Sequence, residues 1–465
     1  MQEIRPDVAI IGAGTAGLAA YRAVKAAGKT AVLIEGYAHG TTCARVGCMP
    51  SKLLIAAAEA AHEARHAAPF GVQVAGVSVD GRAVMERVRR ERDRFVGFVV
   101  RGVDDIPATD KLSGIARFID NTTLQVGDDI RVRAGRIVLA TGSSPVVPPP
   151  FRAAGDRLII NDDVFSWDTL PGRVALFGPG VIGLELGQAL SRLGVGVRLF
   201  GMSGSVGPLS DPAIRDHVTA LFQQEFYLDP AATVGEIRRD GDEIVIPYVN
   251  LAGEQVEERF DYLLAATGRA PNVRGLGLEN TGLALDARGV PLFDPVTLQC
   301  GDAPIFIAGD VNNVLPLLHE AADEGRLAGE NAAAWPSLSA LRRRSTIAVV
   351  FSDPQLAMVG QRHAELDPER IVVGEVDFAD QGRSRVMLKN RGLMHVYADR
   401  DSGRFLGAEW AGPRAENIAH LLAWSHQQSL TIEQMLAMPF YHPVVEEGLR
   451  TALRDAAAKL AAIRN

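Results

Sequence analysis

The chain has 465 residues, 47% of them apolar, and a formal net charge of −8. That length allows two to four domains with large buried cores, and the acidic balance excludes the basic footprint of a nucleic-acid-binding protein. Three cysteines are too few for a secreted disulfide framework, residues 1–7 carry no leader pattern, and the first apolar run is too short to span a bilayer, so the expectation is a soluble cytoplasmic protein.

In chain order, Val8, Ala9, Ile10 and Ile11 form a buried-strand signal, and Gly12, Gly14 and Gly17 follow at once in the spacing G-x-G-x-x-G. A helical run over 18–27 and a second strand over 30–34, ended by Glu35, complete a βαβ unit. In that context the glycines mark a dinucleotide site. Gly12 permits the tight turn, Gly14 lets the backbone approach a pyrophosphate, and Gly17 lets helix and strand pack closely. Glu35 stands where an acid accepts bonds from a ribose hydroxyl.

Two cysteines come next, in Gly40-Thr41-Thr42-Cys43-Ala44-Arg45-Val46-Gly47-Cys48-Met49-Pro50-Ser51-Lys52. Residues five apart in a regular helix rise about 7.5 Å and stand about 140° apart around the axis. A disulfide needs Cα atoms within about 7 Å. If the two sulfurs bond, the segment is a distorted helix start. A helix N-terminus also favours the thiolate, so the pair reads as redox-active rather than as a staple. A helix over 52–67 continues the stretch and contains His62-Glu63-Ala64-Arg65-His66, the zinc-protease spacing. No third ligand is placed nearby, so it reads as a solvated helix face and no metal is expected.

Residues 81–103 read as a helix, 115–119 and 123–126 as short strands, and 137–142 as a buried strand ending Thr141-Gly142. A proline cluster over 145–150 marks a crossover. A second nucleotide unit then opens, with a strand over 174–177, Gly178, Gly180 and Gly183 in the same spacing, a helix to 193 and a strand over 195–200. The position equivalent to Glu35 is Gly201, inside Phe200-Gly201-Met202-Ser203-Gly204-Ser205. Neither the acid of an NAD site nor the Arg of an NADP site is there; Ser203 or Ser205 could hydrogen-bond either ligand. Gly268 lies in the segment closing this unit, and Cys300 reads as a small packed residue. Residues 305–310 read as a strand ending Gly309-Asp310, where Asp310 alone would be a helix N-cap.

From 346 the texture changes. Four strand-like segments (346–351, 370–376, 392–397, 405–410) precede helices over 413–424, 431–436 and 444–463, the second opened by the capping box Thr431-Ile432-Glu433-Gln434. Before the last helix stands Tyr441-His442-Pro443-Val444-Val445-Glu446-Glu447. Thiol–disulfide exchange needs a base for the attacking thiol and an acid for the leaving sulfur. A histidine can serve both roles while a carboxylate holds its tautomer.

Together these motifs resemble the flavoprotein pyridine nucleotide-disulfide oxidoreductase family (class I), the group of dihydrolipoamide dehydrogenase, glutathione reductase and mercuric reductase. The resemblance rests on Cys43-x4-Cys48 with Gly47 and Pro50-Ser51-Lys52, on the two fingerprints, on Gly309-Asp310, on Phe351-Ser352-Asp353-Pro354, and on His442-Pro443 with Glu447. Val444 departs from the family, which has threonine there. The resemblance implies an α/β fold, with two Rossmann-like dinucleotide-binding domains plus a C-terminal α+β dimerisation domain. The expected divisions are an FAD-binding first part over 1–147, an NAD(P)-binding domain over 148–272, a second FAD-binding or central part over 273–345, and an interface domain over 346–465. It implies non-covalent FAD on Gly12, Gly14, Gly17, Glu35, Thr42, Lys52, Thr141, Gly142, Gly309 and Asp310, the aspartate serving the ribityl hydroxyls. NAD, with NADP not excluded, would take Gly178, Gly180, Gly183 and Gly268. Cys43 would exchange with substrate and Cys48 would face the flavin, with Lys52 and Glu185 as an ion pair beside it. His442 and Glu447 would act on the disulfide of the partner subunit in a homodimer with shared active sites.

Within the family, the lack of an N-terminal metal-carrying domain and of a C-terminal cysteine pair speaks against mercuric reductase. The cysteine pair speaks against a transhydrogenase, and the missing basic site against glutathione reductase. The expectation is therefore a dihydrolipoamide dehydrogenase that oxidises dihydrolipoamide, free or on a lipoyl domain, with NAD, whether or not inside a 2-oxo acid dehydrogenase complex. The alternatives are a reductase of another disulfide or of a quinone, and a redox-silent flavin-binding scaffold. No nucleic-acid or membrane partner is expected.

Overall fold

The computed structural model describes residues 2–464 and divides into two compact units. The first takes residues 1–50, 87–146 and 268–343; the second takes 51–86, 147–267 and 344–465. The first unit is built on a five-stranded parallel sheet in the order Ile305–Ile307, Arg136–Leu139, Val8–Ile11, Ala31–Glu35, Lys111–Ser113. Apart from the edge strand Lys111–Ser113, its strands are mostly apolar runs because both faces are covered. Val8, Ile10, Leu33, Val138 and Phe306 face one core, shared with Leu18, Tyr21 and Val24 of the helix Thr15–Ala26 and Leu327 of the helix Leu318–Ala334. Ala9, Ile11, Val32, Ile34, Ile137 and Leu139 face the other core, which holds Phe118, Leu124 and Val132 of a smaller sheet and the buried Cys300. Burial pushes the Cys300 thiol up to about 12, so it stays a packed neutral residue.

The second unit repeats the design. Its parallel sheet runs Leu158–Ile160, Tyr262–Ala265, Arg173–Phe177, Gly196–Phe200, Tyr227–Asp229. It also carries an antiparallel sheet in the order Ile347–Val350, Gln355–Gly360, Phe405–Gly412, Leu393–Asp399, Ile371–Asp377. Trp410, Met394, Val396 and Phe405 of that sheet pack against the helices Ala415–Gln427 and Glu447–Arg464. The α/β class with two dinucleotide folds and a C-terminal α+β domain is thus present. Among the described residues no helix is long and apolar enough to cross a membrane.

Element ends differ from the sequence reading for local reasons. The helix expected over 52–67 is Cys48–Arg65, because Pro50 fits a first turn, where its missing N–H would have no helical partner. The helix expected from 444 begins at Glu447. Residues after Pro443 turn instead, with the Val444 N–H donating to the Glu447 carboxylate at 3.4 Å.

A buried polar cluster fastens the helix Pro212–Gln223 to the antiparallel sheet. Asp211 caps that helix through the N–H of Ala213 and Ile214. Its other oxygen accepts from His395 Nδ1 at 2.6 Å and from the Tyr397 hydroxyl at 2.9 Å. His395 Nε2 donates to Glu375 at 2.9 Å. Glu409, fully buried, accepts from Ser210, Asp211 and His363 backbone N–H and from the Ser210 hydroxyl, so its buried lone pairs are satisfied.

Burial opposes charge on both His395 and Asp211, but their mutual hydrogen bond and attraction outweigh it. Asp211 is brought down to about 2 and His395 is raised. His395 therefore contributes stability that is complete below its ordinary value of 6.5 and is lost as pH rises through the raised folded value. Asp211 contributes above its ordinary 3.8, and that is lost as pH falls through about 2. We expect His395→Gln to destabilise by about 2–4 kcal/mol under mildly acidic conditions. In thermal melts its deficit against wild type should shrink as the pH is raised into the alkaline range; a deficit independent of pH would refute the charged pair.

Candidate functional site

The first unit brings together most of the residues expected to hold a flavin dinucleotide. The turn at Gly12 closes on the end of the central strand, and Glu35, ending the next strand, accepts from Ala13 N–H at 2.8 Å and from Tyr37 N–H at 3.0 Å. Gly14 caps the helix Thr15–Ala26 without any side-chain hydrogen bond, and the space beyond it is open. Unpaired N–H groups and the positive helix end therefore face room for a pyrophosphate, and the residues present fit such a group. Thr141 and Gly142 (φ 70) follow the neighbouring strand, where the strand order reverses direction; that crevice is where such sheets take ligands. The Thr141 hydroxyl donates to Asn272 O at 2.7 Å.

Gly309 (φ 77) turns the chain after Ile305–Ile307. Asp310 is not the cap of a helix: Gly309 holds that position for the short turn Asp310–Asn312, and the Asp310 carboxylate accepts from the Ser143 hydroxyl at 2.8 Å. A residue not singled out from sequence supports this turn. Glu324 is buried on the helix Leu318–Ala334, accepts from Gly309 N–H at 2.8 Å and from Asn312 Nδ2 at 2.6 Å, and pairs with Arg343 at 2.7 Å. Its one sequence signal is an acid on a largely apolar helix face, which it shares with Glu320, Leu327 and Asn331.

Cys43 and Cys48 belong to the same unit. Thr41, with φ at 58, caps the short helix Thr42–Val46, its hydroxyl accepting from Ala44 N–H. A residue with a β-branched side chain at positive φ is strained. The helix then breaks at Gly47 (φ −125, ψ −116), and a new one starts at Cys48. A Cβ on Gly47 would lie 3.0 Å from Thr42 O and 3.2 Å from the Cα of Cys43. Glycine lets the chain turn close over the first cysteine, so the segment is a broken helix, the form expected if the two sulfurs bond. Cys43 is half-buried and Cys48 exposed.

In the second unit the Gly178 loop repeats the first in detail. A Cβ on Gly183 would lie 1.9 Å from Gly178 O, as one on Gly17 would lie 1.8 Å from Gly12 O. Gly180 caps the helix Val181–Arg192 with no side-chain bond and open space beyond. Gly268, expected with this set, falls in the first unit. Along the same helix, Glu185 is buried and accepts from the Lys52 ammonium on both carboxylate oxygens, at 2.8 and 2.7 Å. Sequence reading missed the third member. Phe351 donates its backbone N–H to Glu185 at 3.1 Å and holds its ring 4.6 Å from the Lys52 nitrogen, a cation–π contact. Gln188 and Arg192, further along that helix, bind Asp353.

The helix face carrying His62 and His66 is not wholly solvated. The two rings stack at 4.1 Å instead of converging. Burial first, then the charge of Arg192, brings His62 down to about 4. Among the described residues no group of three or more His, Cys, Asp or Glu is arranged to hold a metal ion.

His442 stands exposed with its Nδ1 at 3.0 and 3.2 Å from the Glu447 oxygens. A carboxylate can only accept, so Nδ1 carries the proton and the Nε2 lone pair is left for another donor. The hydrogen bond from His442 keeps the Glu447 carboxyl below its ordinary range.

Uncapped nucleotide loops, a cysteine pair on a broken helix and a carboxylate-held imidazole define an oxidoreductase that joins nucleotide chemistry to sulfur chemistry. Residues 6–325 match the pyridine nucleotide-disulphide oxidoreductase family and residues 346–453 its dimerisation domain, and the chain belongs to that family, whose members use FAD and NAD(P). It is 31% identical to the mercuric reductase of Shigella flexneri over 462 residues, 96% of this chain and 80% of the relative. It is 30% identical to the dihydrolipoyl dehydrogenase of Haloferax volcanii over 466 residues, 97% and 96% of the two chains. Among solved structures, the HOCl-induced flavoprotein disulfide reductase RclA of Escherichia coli superposes with a TM-score of 0.80 at 25% identity, over 96% of this chain and 99% of that one.

Glu324 gives a direct check of the first site. Replacing it by Ala removes a charged acceptor from two donors at the Gly309 turn, at about 1.5–3 kcal/mol per bond. FAD affinity should fall by about tenfold or more, measured as flavin retained after desalting and by fluorescence titration of the apoprotein. Unchanged affinity in a folded Glu324→Ala protein would remove Glu324 from the site.

Proposed function

We propose that this protein exchanges a substrate dithiol against a Cys43–Cys48 disulfide, with dihydrolipoamide as the dithiol and NAD as the final acceptor. The observation that carries the reading is the His442–Glu447 pair, an imidazole with one nitrogen held by a carboxylate and the other free. His442 Nε2 takes the proton of the first substrate thiol. The thiolate attacks the Cys43 sulfur, the Cys43–Cys48 bond breaks, and Cys48 leaves as a thiolate. The second substrate thiol then attacks the substrate sulfur of the mixed disulfide. Cys43 leaves and takes the proton held on His442, while the second substrate proton goes to solvent. The substrate has become a disulfide, and the cysteine pair holds its two electrons. FAD held at the Gly12, Gly14 and Gly17 loop would supply the two-electron relay between that dithiol and a nicotinamide. Lys52 with Glu185 supplies a fixed positive charge whose orientation Phe351 supports.

The dimerisation-domain match supports a homodimer. In the proposed enzyme, His442 of one subunit serves Cys43 of the other. A second reading, an NADPH-dependent reductase of another disulfide or of a quinone, is favoured by the absence of an acid at Gly201. Steady-state assays of lipoamide, glutathione disulfide, a quinone and mercuric ion, each with NADH and NADPH, separate these.

His442→Gln should slow dithiol turnover by about 10²–10⁴-fold, the usual cost of losing a positioned acid–base group. FAD content and quinone reduction, which bypasses the disulfide, should be spared. A mixed dimer of Cys43→Ser and His442→Gln subunits should recover one working site. Failure to recover activity after verified subunit exchange would sink the shared site.

A further inference from the structure

The second nucleotide loop lacks an acid where the first has Glu35, and its packing gives the reason. A Cβ on Gly201 would lie 2.4 Å from the carbonyl oxygen of Pro230 and 2.8 Å from Cγ of Pro179, the residue between Gly178 and Gly180. Neither neighbour is the end of a flexible side chain. The backbone is also stitched in place. Gly201 N–H donates to Asp229 O at 2.7 Å, Ala232 N–H to Gly201 O at 2.9 Å, Gly204 N–H to Pro230 O at 2.8 Å, and Gly207 N–H to Pro179 O at 2.8 Å. An acid at 201 would have to displace the phosphate loop itself.

Residues 202–209 carry no ionisable group. What they present is Met202, 85% exposed, and two exposed serines whose hydroxyls meet at 3.0 Å. The nearby charges are committed elsewhere. Asp229 accepts from Ala231 N–H at 3.0 Å. The Arg198 guanidinium is engaged by Glu258 at 3.1 Å and by the Tyr248 hydroxyl at 3.3 Å, and lies over the Tyr227 ring.

We infer that Ser203 and Ser205 read the 2′ position of the adenine-side ribose in an uncharged subsite, so that the protein accepts NADH and NADPH with comparable affinity. The inference rests on the reading of the Gly178 loop as the pyridine-nucleotide site. An acid there would repel a 2′-phosphate, and an arginine would favour it. Two hydroxyls donate to a phosphate or exchange bonds with a ribose hydroxyl, and the difference between those bonds amounts to about tenfold in affinity.

The test uses the FAD-loaded protein. Dissociation constants are measured by titration calorimetry for 5′-AMP and 2′,5′-ADP, alongside kcat/KM for NADH and NADPH. Wild type should discriminate by no more than about tenfold. Ser203→Ala with Ser205→Ala should weaken both adenosine probes, 2′,5′-ADP the more. Ser205→Ala alone should show part of that loss. Gly201→Glu should weaken both probes and gain no preference for NADH. Asp229→Asn should leave the ratio where it was. Discrimination above about 100-fold in wild type, a ratio that moves with Asp229→Asn, or a folded Gly201→Glu protein that selects NADH would overturn the inference while leaving the nucleotide site in place. If neither probe and neither dinucleotide binds, the nucleotide reading of the loop fails with it.

Discussion

The helices Thr15–Ala26 and Val181–Arg192 both begin at a glycine, Gly14 and Gly180, with no side-chain cap and open space beyond, and each nucleotide fold is arranged to keep them so. An uncapped N-terminus is costly unless an anion or water satisfies its N–H groups. Holding it bare requires the turn before it to close without side chains. Gly17 and Gly183 meet that requirement by lying against the carbonyls of Gly12 and Gly178. Each parallel sheet then places the loop at the point where its strand order reverses. In the first sheet the apolar strands flanking that point are buried on both faces.

Buried charge is the second organising element. Glu185, Glu324, Glu409, Asp211 and Arg192 all lie under the surface, and each is paired or hydrogen-bonded. An unpaired charge at such depth would be far more costly than the pairing is beneficial. These groups therefore act less as sources of stability than as pins, fixing which helix meets which loop. Glu324 pins the Gly309 turn, and Glu185, Gln188 and Arg192 pin residues 351–353 along a single helix face. The cysteine segment is shaped mainly by backbone conformation: a strained Thr41, whose hydroxyl caps the first helix, and a side-chain-free Gly47 set the break between its two helices.

Most of the fold was legible because its signals are local. The two glycine fingerprints, the apolar strands before them and the Cys43 to Lys52 string each lie within one supersecondary unit, so spacing alone carries the argument. If Cys43 and Cys48 bond, their spacing needs a break in the helix, because a regular one holds the two Cα atoms too far apart, and the chain does break at Gly47. His442 and Glu447 were legible for the same reason, being five residues apart. The reading of 62–66 as a solvated face failed for His62, because the burial there comes from side chains distant in sequence, Arg192 and Glu225 among them.

What the sequence determined by itself was therefore the set of short-range devices: the class of the fold, both glycine loops, the closely spaced cysteines and the His442–Glu447 hydrogen bond. Tertiary structure alone decided the partners that stand far apart in the chain. Phe351 reaches Glu185 across 166 residues, and Asp211 meets His395 across 184. It also decided why position 201 is glycine. Read along the chain, Gly201 looks like a missing acid. In the folded protein it lies against Pro179 and Pro230, and only the packing of two turns against each other, which no local pattern encodes, leaves no room there for a side chain.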